Sequence, residues 1–380
     1  MNKIVTSVLI SLSVVKRISL YKTYLNTIPL LIGIRELFIG KINILFLVLA
    51  SFPLYSALLF SIGKTPFMSF ARSIQFLLLV FFGNWLIRIW NFDVRKNVNW
   101  IVIILSMNSI LIDHYNGIYL IDRTNFDLLR FHLIVGEPNF SSLLYVVLFS
   151  FTLLDNRKLE AVLFASFVLI SQSRMGILGI LCALFLFVFK NSKSKLRWLN
   201  VAINTLFFTY PAILILIDRI ANDPFKQTMV HKLSPRFYLH VGYIEMFFKN
   251  LLGVGYFNGI NRIESLLSEK AIYLKESLKV DDFEIAQQHS LQIQLISEFG
   301  LIGIAVLIYL CYTANKIIKN DPRKLIVWGP FILSTLLINC MHEVSLFIVF
   351  AYLVKDSFLE NKDLNYKTII YEKIIKRMKK

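Results

Sequence analysis

The sequence predicts an all-α fold, a polytopic transmembrane bundle of about 12 helices with one large, partly helical outer loop. Hydrophobic residues make up 56% of the 380 residues, and the mean hydropathy is +0.63. Apolar runs of about 20 residues, the length that crosses a bilayer, recur along the chain. These runs do not alternate apolar and polar residues as the strands of a membrane barrel would. A single integral membrane domain over residues 1–380 is therefore expected.

Twelve apolar segments predict the helices of this bundle. They are residues 4–20, 24–40, 42–62, 67–90, 97–112, 138–154, 159–174, 175–190, 198–217, 289–313, 325–341 and 343–357. The two segments between residues 159 and 190 are short, about 16 residues each against the usual ~20. A tight or partly re-entrant hairpin would account for their length.

The charge pattern predicts which ends of the helices face the cytoplasm. The net charge is +17, and basic residues gather in the connectors at 190–197 and 316–324 and in the tail at 358–380. Because Lys and Arg concentrate on the cytoplasmic side of membrane proteins, these segments are expected there, and the charge does not indicate a nucleic-acid partner. Residues 218–288 then form the large outer loop, with nine basic and nine acidic residues. Residues 113–137 form a second outer loop.

Two polar segments lie on the predicted outer side at helix starts. The first runs from Gly136 to Ser141 and places Glu137 just before Pro138, a residue suited to the first helical turn. A negative charge there favours the positive end of the helix dipole, so a simple helix cap is the alternative to a chemical role. The second segment, Ser171–Gly176, contains Arg174 between two apolar runs. An arginine at that depth needs a counter-charge or a watery cavity, and its planar fork suits phosphate or carboxylate oxygens. A snorkelling or structurally paired arginine is the alternative.

A third polar segment, in the large loop, predicts a helix that begins at Ser234-Pro235. The apolar residues Phe237, Val241, Ile244 and Phe248 recur at helical spacing and form a stripe that can lie on the bundle. Arg236, His240 and Tyr243 share the neighbouring face. Arg236 is a candidate for anion binding, or else for contact with lipid head groups, and His240 and Tyr243 are expected to support it.

The fourth polar site is His289, at the boundary between the large loop and the next apolar helix. A histidine titrates near neutral pH, so it can act as a general base or orient a substrate, and a capping role is the alternative. His342 and Glu343 are a further outer pair with a supporting role or an ordinary place in a turn. No spacing typical of metal ligands and no nucleotide-binding motif occurs in the sequence, so neither a metal nor a cofactor is expected.

Three segments, in this order, resemble the O-antigen ligase and polymerase superfamily of bacterial envelope glycan enzymes. They are Ser173-Arg174-Met175-Gly176, then Arg236 through Gly253-Val254-Gly255-Tyr256-Phe257-Asn258, then His289-Ser290 through Glu298-Phe299-Gly300-Leu301-Ile302-Gly303. The resemblance implies a donor glycan on undecaprenyl diphosphate, held by Arg174 and Arg236, and an acceptor hydroxyl activated by His289. It implies a metal-independent glycosyltransferase in the bacterial inner (cytoplasmic) membrane. It also implies a chain-length regulator protein as a candidate partner.

Within that family, the segment Glu137-Pro138-Asn139 resembles a Glu-Pro-Ser-type segment of polysaccharide polymerases, with Asn139 in place of the serine. The leading hypothesis is therefore a polymerase of O-antigen, capsule or exopolysaccharide repeats, with Glu137 and His289 as catalytic residues. A ligase that moves finished glycan to lipid A core or protein is the first alternative. A lipid-linked glycan transporter is the second, although transporters tend to carry internal repeats, which are absent from this sequence.

Overall fold

A computed structural model of the chain describes residues 3–14, 27–38, 42–115, 120–122, 128–130, 133, 138–221, 235–256, 258–259, 290–336, 338, 341 and 343–355. Its helices are α1 (Lys3–Val14), α2 (Ile28–Leu37), α3 (Ile44–Ser61), α4 (Phe67–Ile89), α5 (Phe92–Tyr115), α6 (Pro138–Leu154), α7 (Lys158–Ser171), α8 (Arg174–Val188), α9 (Lys193–Ala221), α10 (Pro235–Lys249), α11 (Leu291–Asn320), α12 (Leu325–Ser334) and α13 (Val344–Lys355). A 3-10 turn, Pro322–Lys324, joins α11 to α12.

Each of the twelve predicted segments overlaps one of these helices, and α10 is the helix predicted inside the large loop. The apolar segment at 138–154 coincides with α6 at both ends. The prediction of an all-α fold is confirmed, and the structure adds two short antiparallel strands, β1 (Leu120–Asp122) and β2 (Leu128–Arg130), that pair within the loop between α5 and α6. The predicted tail at 358–380 and much of the loop at 218–288 lie outside the described residues.

Polar side chains at helix starts explain why several helices begin where they do. The Asn43 side chain accepts a hydrogen bond from Leu45 N at 2.9 Å and caps α3. Ser173 and Ser290 cap α8 and α11 in the same way, by accepting from the amides of Gly176 and Ile293. Such caps satisfy amide groups that the helix itself leaves without partners. The ends of these helices are thus encoded locally, by single residues.

The exposed side chains of the bundle are largely apolar, as a lipid-facing perimeter requires. The helices α3 (Ile44–Ser61), α4 (Phe67–Ile89), the Lys193–Ile217 part of α9 and α11 are long and apolar enough to cross a membrane, by length and composition. Two shorter helices lie among them: α7 packs against α6, and α8 packs against both α6 and α12. The helices α7 and α8 have 14 and 15 residues, so each is short for a span, as predicted.

Basic connectors meet at one end of the bundle, which we call the basic end. Arg95, at the start of α5, pairs with Asp155 in the α6–α7 connector at 2.9 Å. Lys324, before α12, donates to Leu353 O in the last turn of α13 at 3.0 Å. Lys355 in turn donates to Trp90 O between α4 and α5 at 2.7 Å. These contacts join connectors that are distant in sequence. The connector between α11 and α12, predicted to be cytoplasmic, therefore lies at the same end as the end of α13 and the α4–α5 connector.

The starts of α6, α8 and α11 and the end of α12 meet at the other end, which we call the far end. Ser173 Oγ donates to Asn139 Oδ1 at 3.2 Å, which ties α8 to α6. A Cβ on Gly179 would lie 2.9 Å from Ser334 Oγ, so α8 also touches the last turn of α12. Leu291 N donates to Thr335 O at 3.1 Å, which ties the start of α11 to the same place. The far end therefore contains the starts of α6, α8 and α11, next to which the sequence predicts functional residues.

Candidate functional site

The segments around Glu137 and Arg174 are neighbours at the far end. The bond from Ser173 to Asn139 places the first turn of α8 beside the first turn of α6. A Cβ on Gly176 would come within 2.7 Å of the Ser142 Cβ, so only glycine permits this approach. Glu137 itself lies outside the described residues, two positions before Asn139. The structure therefore brings Asn139, two residues after Glu137, close to the start of the helix that carries Arg174.

Arg174 is the first residue of α8, and its side chain is exposed. It forms no hydrogen bond or ion pair with the residues that the structure describes. A cation at a helix start is repelled by the positive end of the helix dipole, at a cost of about 0.3–1 kcal/mol. The guanidinium and the free amides of the first turn both favour an anion at this position. The electrostatics of this helix start are thus those of an anion-binding site.

Helix α10 carries three of the predicted residues, two of them with described side chains. Arg236 is its second residue, and the Arg236 side chain lies outside the described part. His240 is buried, and its Nδ1 lies 3.0 Å from the Tyr210 hydroxyl of α9. Tyr243 is fully buried, and its hydroxyl has no hydrogen-bond partner among the described residues. His240 and Tyr243 therefore lie between helices and not at a surface.

The prediction for the buried face of α10 is partly wrong. Val241 and Ile244 pack into the bundle as expected, but Phe248, assigned to the same stripe, is 62% exposed. The polar face packs inward as well, since His240 and Tyr243 are covered by α9 and α11. A periodic pattern in one helix does not reveal that two neighbours cover it from different sides.

His289 lies just outside the described residues, directly before the cap of α11. Ser290 is fully buried, and Leu291 bonds to the end of α12, as described above. The same end of α12 touches Gly179, five residues after Arg174 on α8. The residues that directly follow His289 are thus linked to the helix of Arg174 through α12.

His342 and Glu343 directly precede α13 in the sequence, and of the two only Glu343 is described. Glu343 is buried, and its carbonyl accepts from Leu346 N at 3.1 Å, which closes the first turn of α13. His342 lies outside the described residues.

Helix α11 is broken at Gly300, which corrects the prediction of one continuous helix from residue 289. Gly300 has φ 57° and ψ −135°, a conformation that is essentially restricted to glycine. A Cβ on Gly303 would lie 1.8 Å from Leu295 O, so the second half folds back against the first. The second half, residues 301–320, has a length of about 30 Å, enough to cross a bilayer alone. The first half, residues 291–299, is therefore an extra, separate helix at the far end.

Three glycines, Gly253, Gly255 and Gly300, form what we call the glycine clamp between this break and the loop after α10. Leu301 N donates to Leu251 O at 2.9 Å, and Gly255 N donates to Glu298 O at 2.8 Å. All three glycines have positive φ, and a Cβ on Gly300 would lie 2.1 Å from Leu251 O. The clamp fixes α10, which carries Arg236, relative to the half-helix that follows His289.

The half-helix 291–299 carries buried polar groups that sequence reasoning did not assign to the site. Gln292, Gln294, Ser297 and Glu298 are each at most 1% exposed. Gln294 Nε2 donates to Glu298 Oε2 at 2.9 Å, while the Oε1 atoms of both glutamines lack a hydrogen-bond partner among the described residues. Burial, and after it the negative charge of Glu298, raises the pKa of Tyr243. The signal for these residues was available, since four polar residues interrupt an otherwise apolar run.

The comparison with protein families fits this geometry. A family model described as O-antigen ligase matches residues 159–308, from the start of α7 to beyond the break in α11. The match contains Arg174, Arg236 and His289, and it leaves out Glu137 and Glu343. No curated protein matches the chain. With its apolar helices the chain is a membrane protein, and its residues 159–308 are similar to the O-antigen ligase family.

Proposed function

We propose that the protein is a polysaccharide polymerase of the bacterial inner membrane. It joins oligosaccharide repeats carried on undecaprenyl diphosphate, at the outer face, in the synthesis of an O-antigen, capsule or exopolysaccharide. The observation that carries the proposal is the meeting of the helix starts of α6 and α8 with the start of α11, at the end of the bundle opposite the basic connectors. That meeting gathers the segments of Glu137, Arg174 and His289 where no cytoplasmic sugar nucleotide would be present.

The proposed reaction transfers the donor glycan from its lipid diphosphate to an acceptor hydroxyl. His289 removes the hydroxyl proton while the acceptor oxygen bonds to the anomeric carbon, and the bond from that carbon to the diphosphate oxygen breaks. Arg174 and Arg236 hold the departing diphosphate, whose charge two guanidinium forks can neutralise without a metal. Glu137, next to the first turn of α6, would orient the acceptor or the imidazolium. His240 and Tyr243 support α10 from its buried side, and His342-Glu343 supports the far end.

Replacing His289 with alanine tests this proposal. We expect His289→Ala to abolish long surface glycan chains while the protein remains in the membrane at normal abundance, because the hydroxyl would lose its base. A gel of surface glycan length is the measurement. His114→Ala is the matched control, since His114 is exposed in the last turn of α5 and has no proposed role. Long chains at normal abundance in the His289 variant would refute the catalytic role.

A ligase remains the second candidate, because the matching family model is described by that activity. The two functions leave different products when the protein is inactive. Loss of a polymerase leaves single repeats attached to the acceptor, whereas loss of a ligase leaves full-length polymer on undecaprenyl diphosphate. The same gel, run on the lipid-linked and surface fractions of the His289→Ala strain, separates the two.

The break in α11 does not favour a transporter. Broken helices of transporters interrupt the span near the middle of the membrane. Here the 20 residues after Gly300 are enough for a full span, so the break lies at the far end. Elongation of lipid-linked repeats by the purified protein in detergent, with no membrane to cross, would exclude transport as the main role.

A further inference from the structure

A pocket of about 520 Å³ opens on the surface of the far end, between α3 and the loop after α10. Tyr55 and Leu59 of α3 form one side, and Asn250 and Leu252 form the other. The Tyr55 hydroxyl donates to Leu252 O at 2.5 Å, so the two sides of the pocket are joined by a hydrogen bond. This is a formed concavity between two elements and not a gap between separate domains.

The charge of this pocket is positive. Its lining includes Lys64, from the α3–α4 connector, and Lys249, the last residue of α10, and none of the described residues that line it is acidic. Both lysines are exposed, and neither ammonium forms a hydrogen bond or ion pair within the described part of the chain. Two cations on different elements, aimed at one concavity, favour an anion there.

The surroundings of the pocket are apolar. Phe248, Leu251 and Leu252 stand beside the lysines, and Leu54 and Leu58 continue down the outer face of α3, each more than half exposed. Because α3 is a candidate membrane span, this face is expected to contact lipid chains. A positive pocket at the top of an apolar face matches an anionic head group above hydrocarbon tails.

We propose that this pocket binds the phosphate of an anionic membrane phospholipid, held by Lys64 and Lys249, with its acyl chains along α3. The donor lipid of the proposed reaction is a poor occupant. Arg236 lies thirteen residues before Lys249 on α10, so its backbone is about 20 Å from the lysine. A diphosphate in the pocket would therefore be out of reach of Arg236, one of the two arginines proposed to hold it. The bound phospholipid ties the end of α10 to the α3–α4 connector, next to the glycine clamp.

The test measures lipid retention by the purified full chain, with no glycan substrate, so its result is independent of the proposed function. Native mass spectrometry counts phosphatidylglycerol or phosphatidylcholine bound per chain as each lipid is titrated into the detergent. We expect one tightly held phosphatidylglycerol, and Lys64→Gln/Lys249→Gln should weaken it about 10- to 30-fold, since two cations near the phosphate are lost. Lys64→Arg/Lys249→Arg should retain it.

The control is Lys316→Gln/Lys319→Gln, which removes two exposed lysines from the last turns of α11, at the basic end. It should leave the tight phosphatidylglycerol in place. An equal loss in this control would show that net charge alone attracts the lipid, and equal retention of phosphatidylcholine would show that the head-group charge is irrelevant. Displacement of phosphatidylglycerol from the pocket by undecaprenyl diphosphate, abolished by the same lysine substitutions, would make it a donor site. Each of these results would overturn the proposal.

Discussion

Each end of the bundle contains a buried glutamate. At the basic end, Glu160 is 3% exposed and accepts a hydrogen bond from Asn99 Nδ2 at 2.9 Å. At the far end, Glu298 is 0% exposed and accepts a hydrogen bond from Gln294 Nε2 at 2.9 Å. Glu160 also forms an ion pair with Arg157, three residues earlier. Around Glu298 the neighbours are the phenols of Tyr243 and Tyr256, whose pKa values burial and the carboxylate raise. The two carboxylates have similar burial and a similar amide donor; Glu160 forms an ion pair with Arg157, whereas the buried phenols of Tyr243 and Tyr256 lie near Glu298.

The same contrast extends to the arginines of the two ends. Arg95 and Arg157 at the basic end pair with Asp155 and Glu160. Arg174 at the far end is exposed and pairs with none of the described residues. Buried ion pairs hold elements in register, whereas a cation left open at a helix start remains available to a ligand. The arginines of the basic end are engaged in ion pairs, whereas Arg174 at the far end is open to an anionic ligand.

The largest effect is expected at the break in α11, because this break positions the half-helix 291–299 at the far end. Gly300→Ala should prevent accumulation of folded protein, because the new Cβ would meet Leu251 O at 2.1 Å in a backbone conformation closed to alanine. Gly63→Ala is the control, since Gly63 also has positive φ but nothing within 4 Å of its Cβ. It should cost only about 1 kcal/mol. The amount of folded protein recovered in detergent measures both, and equal recovery of the two variants would contradict the role of the clamp.

This break also marks the limit of what the sequence revealed. Apolar runs predicted the helices because lipid burial requires them, and single caps such as Ser173 fixed their starts. The apolar pattern continues through Gly300 into Leu301 and Ile302, so nothing local indicates that the helix turns back. The cause is a set of hydrogen bonds to a loop some fifty residues earlier, which no pattern in one segment records. The buried polar residues of 291–299, Glu298 among them, did leave a local signal, because four polar residues interrupt an otherwise apolar run.

The next largest effect distinguishes the carboxylate of Glu160 from that of Glu298. Glu160→Gln should destabilise the protein by about 3 kcal/mol, because the Arg157 side chain, only 12% exposed, would lose its carboxylate partner. Glu298→Gln keeps the volume and an amide oxygen for Gln294, so its stability should change by less than about 1 kcal/mol. Its glycan-elongating activity per folded molecule should instead fall about tenfold, through loss of a negative charge beneath the proposed site. Denaturation curves and elongation assays on both purified variants give the two readouts.

The outcome that would erase the distinction is a Glu298→Gln variant with full activity and reduced stability, like that expected of Glu160→Gln. Glu298 would then be a second structural carboxylate. Full activity per folded molecule in the Glu160 variant is equally required, because that residue lies at the end remote from the proposed chemistry.

The smallest effect is expected for Arg174→Lys, which tests whether the open cation at the far end acts through its charge or its shape. Stability should stay within about 0.5 kcal/mol, because the side chain is exposed and has no partner among the described residues. Activity should fall about tenfold or less, since lysine keeps the charge but loses the planar fork that binds two phosphate oxygens at once. Arg323→Lys is the control, an exposed arginine that pairs with Asp321 in the turn before α12. If Arg174→Lys and Arg323→Lys elongate glycan at the same rate as the unaltered protein, the guanidinium of Arg174 has no bidentate role, and the far end would bind its anion through charge and helix amides alone.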